Sequence, residues 1–133
     1  MSDTEILLAP DGSWPLSTLI VGIDLAWGEK KPDGVCFIHR RGGAASVVGY
    51  AYPQGDDDLL AAIVGALAQA SRVLIAIDAP IVCPNPTGAR PVDGEISRRF
   101  WRERAGCHSA NSTRCPRPAR ILSRLERFGF ATG

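Results

Sequence analysis

The order of predicted elements indicates an α/β domain built around one mixed sheet. Three β-rich runs follow one another with short, turn-rich joins, an amphipathic helix comes next, and a continuous apolar strand follows the helix. Three strands joined by tight turns form an antiparallel meander, and a helical connection returns the chain to the same sheet by a right-handed crossover. A chain of 133 residues is the right size for a single core of this kind.

The meander is predicted at Thr18–Leu25, Gly34–His39 and Ala45–Tyr52. Its joins, GEKKPDG and RRGGA, are rich in the residues that hairpin turns require. Residues 1–17 contain two prolines and no periodicity, so they are predicted to be a poorly ordered leader ahead of a single domain at residues 18–133. His39, at the end of the second strand, is interpreted as a solvated edge residue.

The crossover helix is predicted in GDDDLLAAIVGALAQAS, with Asp56 as its N-cap. Its apolar residues share one face: Leu59, Leu60, Ile63, Val64 and Leu67. The following run, RVLIAIDAP, is apolar on both faces, as in a strand of a parallel sheet. A right-handed crossover places this fourth strand beside the first and parallel to it, which gives the strand order 3-2-1-4.

Beyond Asp78 the chain is rich in proline and arginine and contains two short predicted helices. Residues 79–120 hold six of the ten prolines. The first helix is predicted at residues 94–105, capped by Asp93, with Ile96, Phe100 and Trp101 on its apolar side. Phe100 and Trp101 are interpreted as core residues rather than as base-stacking residues. The second helix is predicted at residues 118–128, with a buried face of Ile121, Leu122, Leu125 and Phe128 and with Gly129 as its stop.

Two aspartates, Asp24 and Asp78, each end a strand. In the predicted topology the two strands are parallel neighbours about 4.8 Å apart, so both carboxylates emerge at one edge of the sheet. Two adjacent carboxylates cannot both stay ionised cheaply unless a cation lies between them, and oxygen ligands suit Mg²⁺ or Mn²⁺. A single strand-end aspartate is more often a turn cap, but the pair favours a metal site.

The net charge of +1 hides a strong asymmetry. Residues 1–87 carry 5 Lys and Arg against 10 Asp and Glu, whereas residues 88–133 carry 10 arginines against 4 acids. Arginine suits both phosphate and carboxylate partners, so the basic half either binds a polyanion or covers the acidic half of the same chain, and charge alone favours the second. Arg98 and Arg102, four residues apart on the first short helix, favour an anionic partner.

Several classes of protein are not indicated. No run is long enough to span a bilayer, and the start, MSDTEILLAPDG, lacks the basic flank of a secretory signal, so a cytoplasmic protein is expected. The four cysteines are widely spaced and are predicted to be free thiols. Cys83, Cys107, His108 and Cys115 are residue types that bind zinc. The sequence nevertheless lacks the paired Cys-x-x-Cys spacing of zinc sites, so a zinc site is not favoured.

Four segments in order, IVGIDLAWG, IAIDAP, NPTGARPVDGEISRRF and GCHSANSTR, resemble domain-of-unknown-function family 429, whose members are predicted ribonuclease H-like nucleases. The resemblance covers roughly residues 19–129. It implies a ribonuclease H-like fold and metal-dependent hydrolysis of phosphodiester bonds in a nucleic acid or nucleotide. The implied catalytic carboxylates are Asp24, Asp78 and Asp93, of which Asp24 and Asp78 hold Mg²⁺ or Mn²⁺. The implied substrate-binding residues are Arg90, Arg98, Arg99, His108 and Asn111.

The chain departs from the family pattern at its end. Family members continue into further strands that include another acidic residue, whereas this chain stops at RFGFATG, so the domain is expected to lack those C-terminal strands. Because a two-metal site of this fold uses three or four carboxylates, a non-catalytic nucleic-acid or nucleotide-binding module is the alternative. GIDLAWG also resembles the first phosphate loop of actin-like ATPases, although Trp27 and Glu29 occupy the turn.

The fourth strand is predicted to lie at an open edge of the sheet. Its VLIAI run has no proline or charge to discourage pairing, which is typical of a strand that recruits a partner. The chain is therefore expected to form a homodimer, through this edge or through exchange of the C-terminal helix, or to bind a missing polypeptide at the edge. In the alternative, residues 94–129 fold over the edge and cover it.

Overall fold

The computed structural model describes residues 17–68 and 70–131 of the chain. In these ranges it contains four strands and three helices: β1 Ser17–Asp24, β2 Gly34–Arg41, β3 Ala44–Ala51, α1 Asp56–Leu67, β4 Arg72–Asp78, α2 Pro91–Arg99 and α3 Arg117–Arg127. Residues 1–16 of the predicted leader lie outside the described residues, and Ser17 already belongs to β1.

The strands form one mixed sheet in the order β3-β2-β1-β4. β1 and β2 pair antiparallel, as do β2 and β3, whereas β1 and β4 pair parallel. The predicted strand order is therefore confirmed, and the strand bounds agree with the sequence pattern to within two residues. A β-bulge between Phe37 and Ile38 shifts the register of β2 against β3.

The hydrophobic core lies on one face of the sheet. Alternate residues of β1 point into it, and α1 and α3 pack over it, so that the buried cluster includes Leu19, Val21, Ile23, Val35, Leu59, Leu60, Ile63, Ile121 and Leu125. The buried face of α1 is narrower than the predicted apolar face, because Val64 is exposed. On α3, Ile121 and Leu125 are buried as predicted, but Phe128 is exposed.

Two predicted helix starts are wrong. The N-cap of α1 is Gly55, whose φ of 83° suits glycine, and Asp56 is the first helical residue instead. α2 begins at Pro91 rather than Gly94, because proline at the first helical position is already set at a helical φ. Arg90 is its N-cap, and Asp93 lies in the first turn, where its side chain accepts a hydrogen bond from the Arg90 backbone.

The placement of Phe100 and Trp101 in the core is also wrong. α2 ends at Arg99, so both aromatic residues follow the helix rather than extending its apolar side. Phe100 is 43% exposed and Trp101 is 67% exposed.

The two ends of the sheet order are β3 and β4, so His39 on β2 is not at an edge, contrary to the prediction. It is half-buried and hydrogen-bonds with the Ser17 hydroxyl at 2.9 Å.

Within residues 17–68 and 70–131, β4 pairs with β1 on one side and with no strand on the other. A homodimer through this edge stays a prediction. Among these same residues no helix is both long and apolar enough to cross a membrane.

Candidate functional site

Asp24 and Asp78 lie directly opposite each other at the carboxyl ends of β1 and β4. Strand alternation turns Ile23 and Ile77 toward the core and turns the two aspartates toward the other face. Both aspartates are exposed, and both line one cleft of about 480 Å³. The predicted meeting of the two strand ends is therefore confirmed.

The rest of the cleft comes from the loop after β1 and from the chain after β4. Its lining residues are Asp24, Leu25, Trp27, Asp78, Ala79, Pro80, Arg90, Asp93, Gly106, Cys107, His108 and Ala110. Four ionisable residue types therefore meet around the paired aspartates: carboxylate, guanidinium, imidazole and thiol.

Asp93 is buried and its carboxylate is fully engaged. Its Oδ1 accepts a hydrogen bond from Arg90 Nη2 at 2.7 Å, and its Oδ2 accepts from Arg90 Nε at 3.0 Å and from the backbone N–H groups of Arg90 and Ala110, both at 3.2 Å. The hydrogen bonds from the Arg90 side chain lower the pKa of Asp93 to about 2, against the opposing effect of its burial. Asp93 therefore fixes Arg90 and the Ala110 backbone in place. Its predicted role as a catalytic carboxylate stays a prediction.

The loop that carries His108 is tied down on both sides. The backbone N–H of Cys107 donates to Ser97 Oγ on α2 at 3.1 Å, and the N–H of Ala110 donates to Asp93. Between these anchors His108 is exposed to the cleft, and its ring packs edge-on against Trp27 with centroids 6.2 Å apart and an interplanar angle of 85°. The predicted placement of His108 beside the paired aspartates agrees with this geometry.

Asn111 lies inside the loop structure rather than in the cleft. It is buried, its Nδ2 donates to Gly88 O at 2.9 Å, and its Oδ1 accepts from the Arg114 backbone N–H at 2.9 Å. Asn85 supports the same junction, because its Nδ2 donates to Ala110 O at 3.1 Å. In this arrangement Asn111 shapes the wall of the cleft, and direct contact with a substrate stays a prediction.

Arg98 and Arg99 are exposed on the last turn of α2, and within the described ranges neither lines the cleft. Arg98 forms an ion pair with Glu95. Arg102 follows the end of the helix, so the predicted helical face shared by Arg98 and Arg102 is wrong. Substrate binding by Arg98 and Arg99 stays a prediction.

Arg117 is a positioning residue that the sequence reasoning missed. It is fully buried, with a relative exposure of 0%. Its Nη1 and Nη2 donate to the two carboxylate oxygens of Asp33 at 2.9 and 2.8 Å, and its Nε donates to Asp56 Oδ1 at 2.8 Å. Nη1 also donates to the carbonyl oxygens of Ala26 and Gly28 at 2.8 and 3.0 Å. Because these carbonyls flank Trp27, Arg117 fixes the loop after β1 that forms one wall of the cleft.

Arg117 and the aspartates around it stabilise one another's charged forms. The hydrogen bonds that Arg117 donates to Asp33 and then to Asp56 raise the pKa of Arg117 well above its ordinary range, in spite of its burial. Burial raises the pKa of Asp56, but the hydrogen bonds from Arg120 and Arg117 outweigh that effect, and the net pKa lies below its ordinary value. The structure places Arg117 at the first position of α3, where a positive charge opposes the helix dipole and requires a local compensation.

The residues of the cleft that could hold a metal ion are Asp24 and Asp78. The described residues contain no group of three or more His, Cys, Asp or Glu side chains arranged to hold a metal ion. Two exposed carboxylates nevertheless fit Mg²⁺ or Mn²⁺, which bind through one or two carboxylates and complete their coordination with water and phosphate oxygens. The four cysteines, all within the described residues, form no disulfide, and burial raises the pKa of the Cys115 thiol.

The fold and the cleft together define an α/β protein with paired carboxylates at the ends of two parallel strands. The model of the family described as Protein of unknown function (DUF429) matches residues 22–126, and the chain belongs to this family. The matched span includes Asp24, Asp78, Arg90, Asp93 and Arg117. No curated protein and no solved structure matches the chain.

Proposed function

We propose that this protein is a metal-dependent hydrolase of phosphodiester bonds, in a nucleic acid or nucleotide, on a fold of the ribonuclease H type. The observation that carries the proposal is the direct pairing of Asp24 with Asp78, both exposed in one cleft. The strand order β3-β2-β1-β4, with β4 parallel to β1, supports the choice of fold class.

Asp24 and Asp78 are the residues that would hold Mg²⁺ or Mn²⁺. Such an ion neutralises phosphate charge and lowers the pKa of an attacking water. The carboxylates supply the negative charge that draws a divalent cation to this edge of the sheet, and their fixed register keeps the two groups side by side.

The other side chains of the cleft have complementary tasks. Arg90, held in place by its ion pair with Asp93, offers its remaining Nη–H donors to a phosphate group. His108, held between the anchors at Cys107 and Ala110, offers a ring nitrogen that accepts or donates a proton at the leaving group. Trp27 packs edge-on against the His108 ring.

A second candidate is a non-catalytic module that binds a nucleic acid or nucleotide in the same cleft. It is favoured by the engagement of Asp93 with Arg90 and Ala110, because this leaves two carboxylates where two-metal sites use three or four.

Cleavage assays separate the two candidates. Labelled single-stranded DNA, RNA and duplex DNA are incubated with Mg²⁺ or Mn²⁺ and with the parent protein, Asp24→Asn, Asp78→Asn or the control Asp58→Asn, whose carboxylate is exposed on α1 and does not line the cleft. We expect metal-dependent cleavage that is lost in the first two variants and kept in the third. Binding without cleavage supports the module, and cleavage that survives both cleft variants refutes the assignment of these aspartates.

A further inference from the structure

We propose that the end of α2 and the turn that follows it, residues 99–104, form a docking surface for single-stranded nucleic acid. This surface is here called the tryptophan turn. It specifies single-stranded nucleic acid as the substrate class of the proposed hydrolase. The inference rests on that proposed function, because the hydrolase reaction is what would require a strand to enter the cleft. Its features are an exposed pair of aromatic rings, a concentration of arginine, a defined backbone and a direct continuation into the cleft.

The aromatic rings of the tryptophan turn are not part of the core. Trp101 is 67% exposed, and Phe100 beside it is 43% exposed. The guanidinium of Arg102 lies 5.5 Å from the centroid of the Trp101 ring, in position for a cation–π contact. An exposed indole with a neighbouring guanidinium is the kind of surface on which unpaired bases stack.

The backbone of the turn is well defined. The N–H of Phe100 donates to Ile96 O at 2.9 Å, the N–H of Ala105 donates to Phe100 O, and the N–H of Arg104 donates to Trp101 O, both at 3.2 Å. Arg104 has a φ of 56°, a left-handed conformation that costs energy for any residue with a β-carbon. Strained backbone of this kind is concentrated at functional sites.

The charge of the turn suits a polyanion. Three arginines, Arg99, Arg102 and Arg104, stand against one acid, Glu103, and all four are exposed. Such positive charge attracts the phosphate backbone irrespective of sequence. The attraction is needed here because Asp24 and Asp78, at the cleft, repel phosphate when no cation is bound.

The chain continues from the turn into the lining of the cleft. The next residues along the chain, Gly106, Cys107 and His108, line the cleft beside the paired aspartates. A strand stacked on Trp101 is thereby directed along this segment toward Asp24 and Asp78. A single strand fits better than a duplex, because the base faces of a duplex are already stacked on one another.

Binding is tested in EDTA, so that the result does not depend on cleavage. Fluorescence anisotropy is measured on labelled oligothymidylate and oligouridylate of about 12 nucleotides and on a duplex of the same length. The parent is compared with Trp101→Ala, Trp101→Tyr and Arg102→Gln. The controls are Tyr50→Ala, an exposed aromatic on β3 outside the cleft lining, and Arg41→Gln, at the opposite end of the sheet from Asp24.

We expect the parent to bind the single strands more tightly than the duplex. Trp101→Ala is expected to weaken single-strand binding about tenfold, and Trp101→Tyr to restore most of it, because stacking needs an aromatic ring. Arg102→Gln is expected to reduce the slope of log affinity against log salt by about one. The controls are expected to bind within about twofold of the parent, and circular dichroism checks that each variant is folded.

The inference is overturned if Trp101→Ala binds single strands as tightly as the parent does, or if the parent binds no single strand. It is also overturned if Trp101 proves necessary for binding to phosphatidylserine vesicles but not to oligonucleotides. Single-strand binding that depends on Trp101, with no cleavage in Mg²⁺ or Mn²⁺, supports the docking surface while refuting the hydrolase. Cleavage that depends on Asp24 but not on Trp101 does the reverse.

Discussion

The buried arginine at the start of α3 gives the sharpest test of how the cleft is held together. In Arg117→Met the side-chain volume is largely kept while the guanidinium is removed. Asp33, which is fully buried, then retains the Ala26 N–H as a donor, and Asp56 retains Arg120.

The expected cost follows from the contacts that are lost. Breaking a buried ion pair by removing one partner costs about 3–5 kcal/mol, because a buried charge is left uncompensated. The carbonyl oxygens of Ala26 and Gly28 each lose a hydrogen bond as well, worth about 1 kcal/mol apiece and not fully additive. We expect the free energy of unfolding to fall by about 4 kcal/mol, a large part of the 5–15 kcal/mol typical of a domain.

Urea unfolding, followed by far-ultraviolet circular dichroism, measures this loss as a fall of about 2 M in the midpoint. Arg120→Met is the matched control on the same helix. Its guanidinium also pairs with Asp56, but the side chain is 44% exposed, so its removal is expected to cost less than about 1 kcal/mol. The reasoning is refuted if Arg117→Met loses less than about 1 kcal/mol, or if both substitutions cost the same.

Three further outcomes are expected. Because Arg90 lowers the pKa of Asp93 to about 2, their ion pair contributes its full stability at pH values above 3.8, the ordinary pKa of an aspartate, and loses it as the pH falls toward 2. Urea titrations from about pH 5 downward are expected to show that Arg90→Gln removes this part of the acid sensitivity. Ile63→Ala, in the core, is expected to cost about 2–5 kcal/mol in thermal unfolding, against a small effect of alanine at exposed Val64. Light scattering at high micromolar concentration is expected to show a dimer through β4 that Leu74→Lys dissociates; a single-chain mass for the parent would refute the dimer.

The elements that were predicted correctly are those whose position depends on residue patterns within a short stretch of the sequence. Alternating or continuous apolar runs located all four strands, and the handedness of the crossover was enough to place Asp78 beside Asp24. The pairing at the cleft was therefore predictable, because it depends on topology and on two strand ends rather than on side-chain packing.

The errors arose where distant contacts or single-residue geometry decide. Arg117 meets Asp33 and Asp56 across 84 and 61 residues of sequence, and nothing local distinguishes it from the other nine arginines after residue 87 except its position at a helix start. Pro91 started α2 three residues earlier than expected, and the helix ended at Arg99. Trp101 was consequently left at the surface, although its spacing suggested a helix face.

Calorimetric titration of Mn²⁺ tests the central claim most directly, because the claim is that Asp24 and Asp78 form one cation site. The parent, Asp24→Asn, Asp78→Asn and the control Asp58→Asn are titrated under the same conditions. We predict binding by the parent and by the control, and marked weakening when either cleft aspartate is replaced. Equal affinity in all four proteins, or no binding by the parent, would contradict the account.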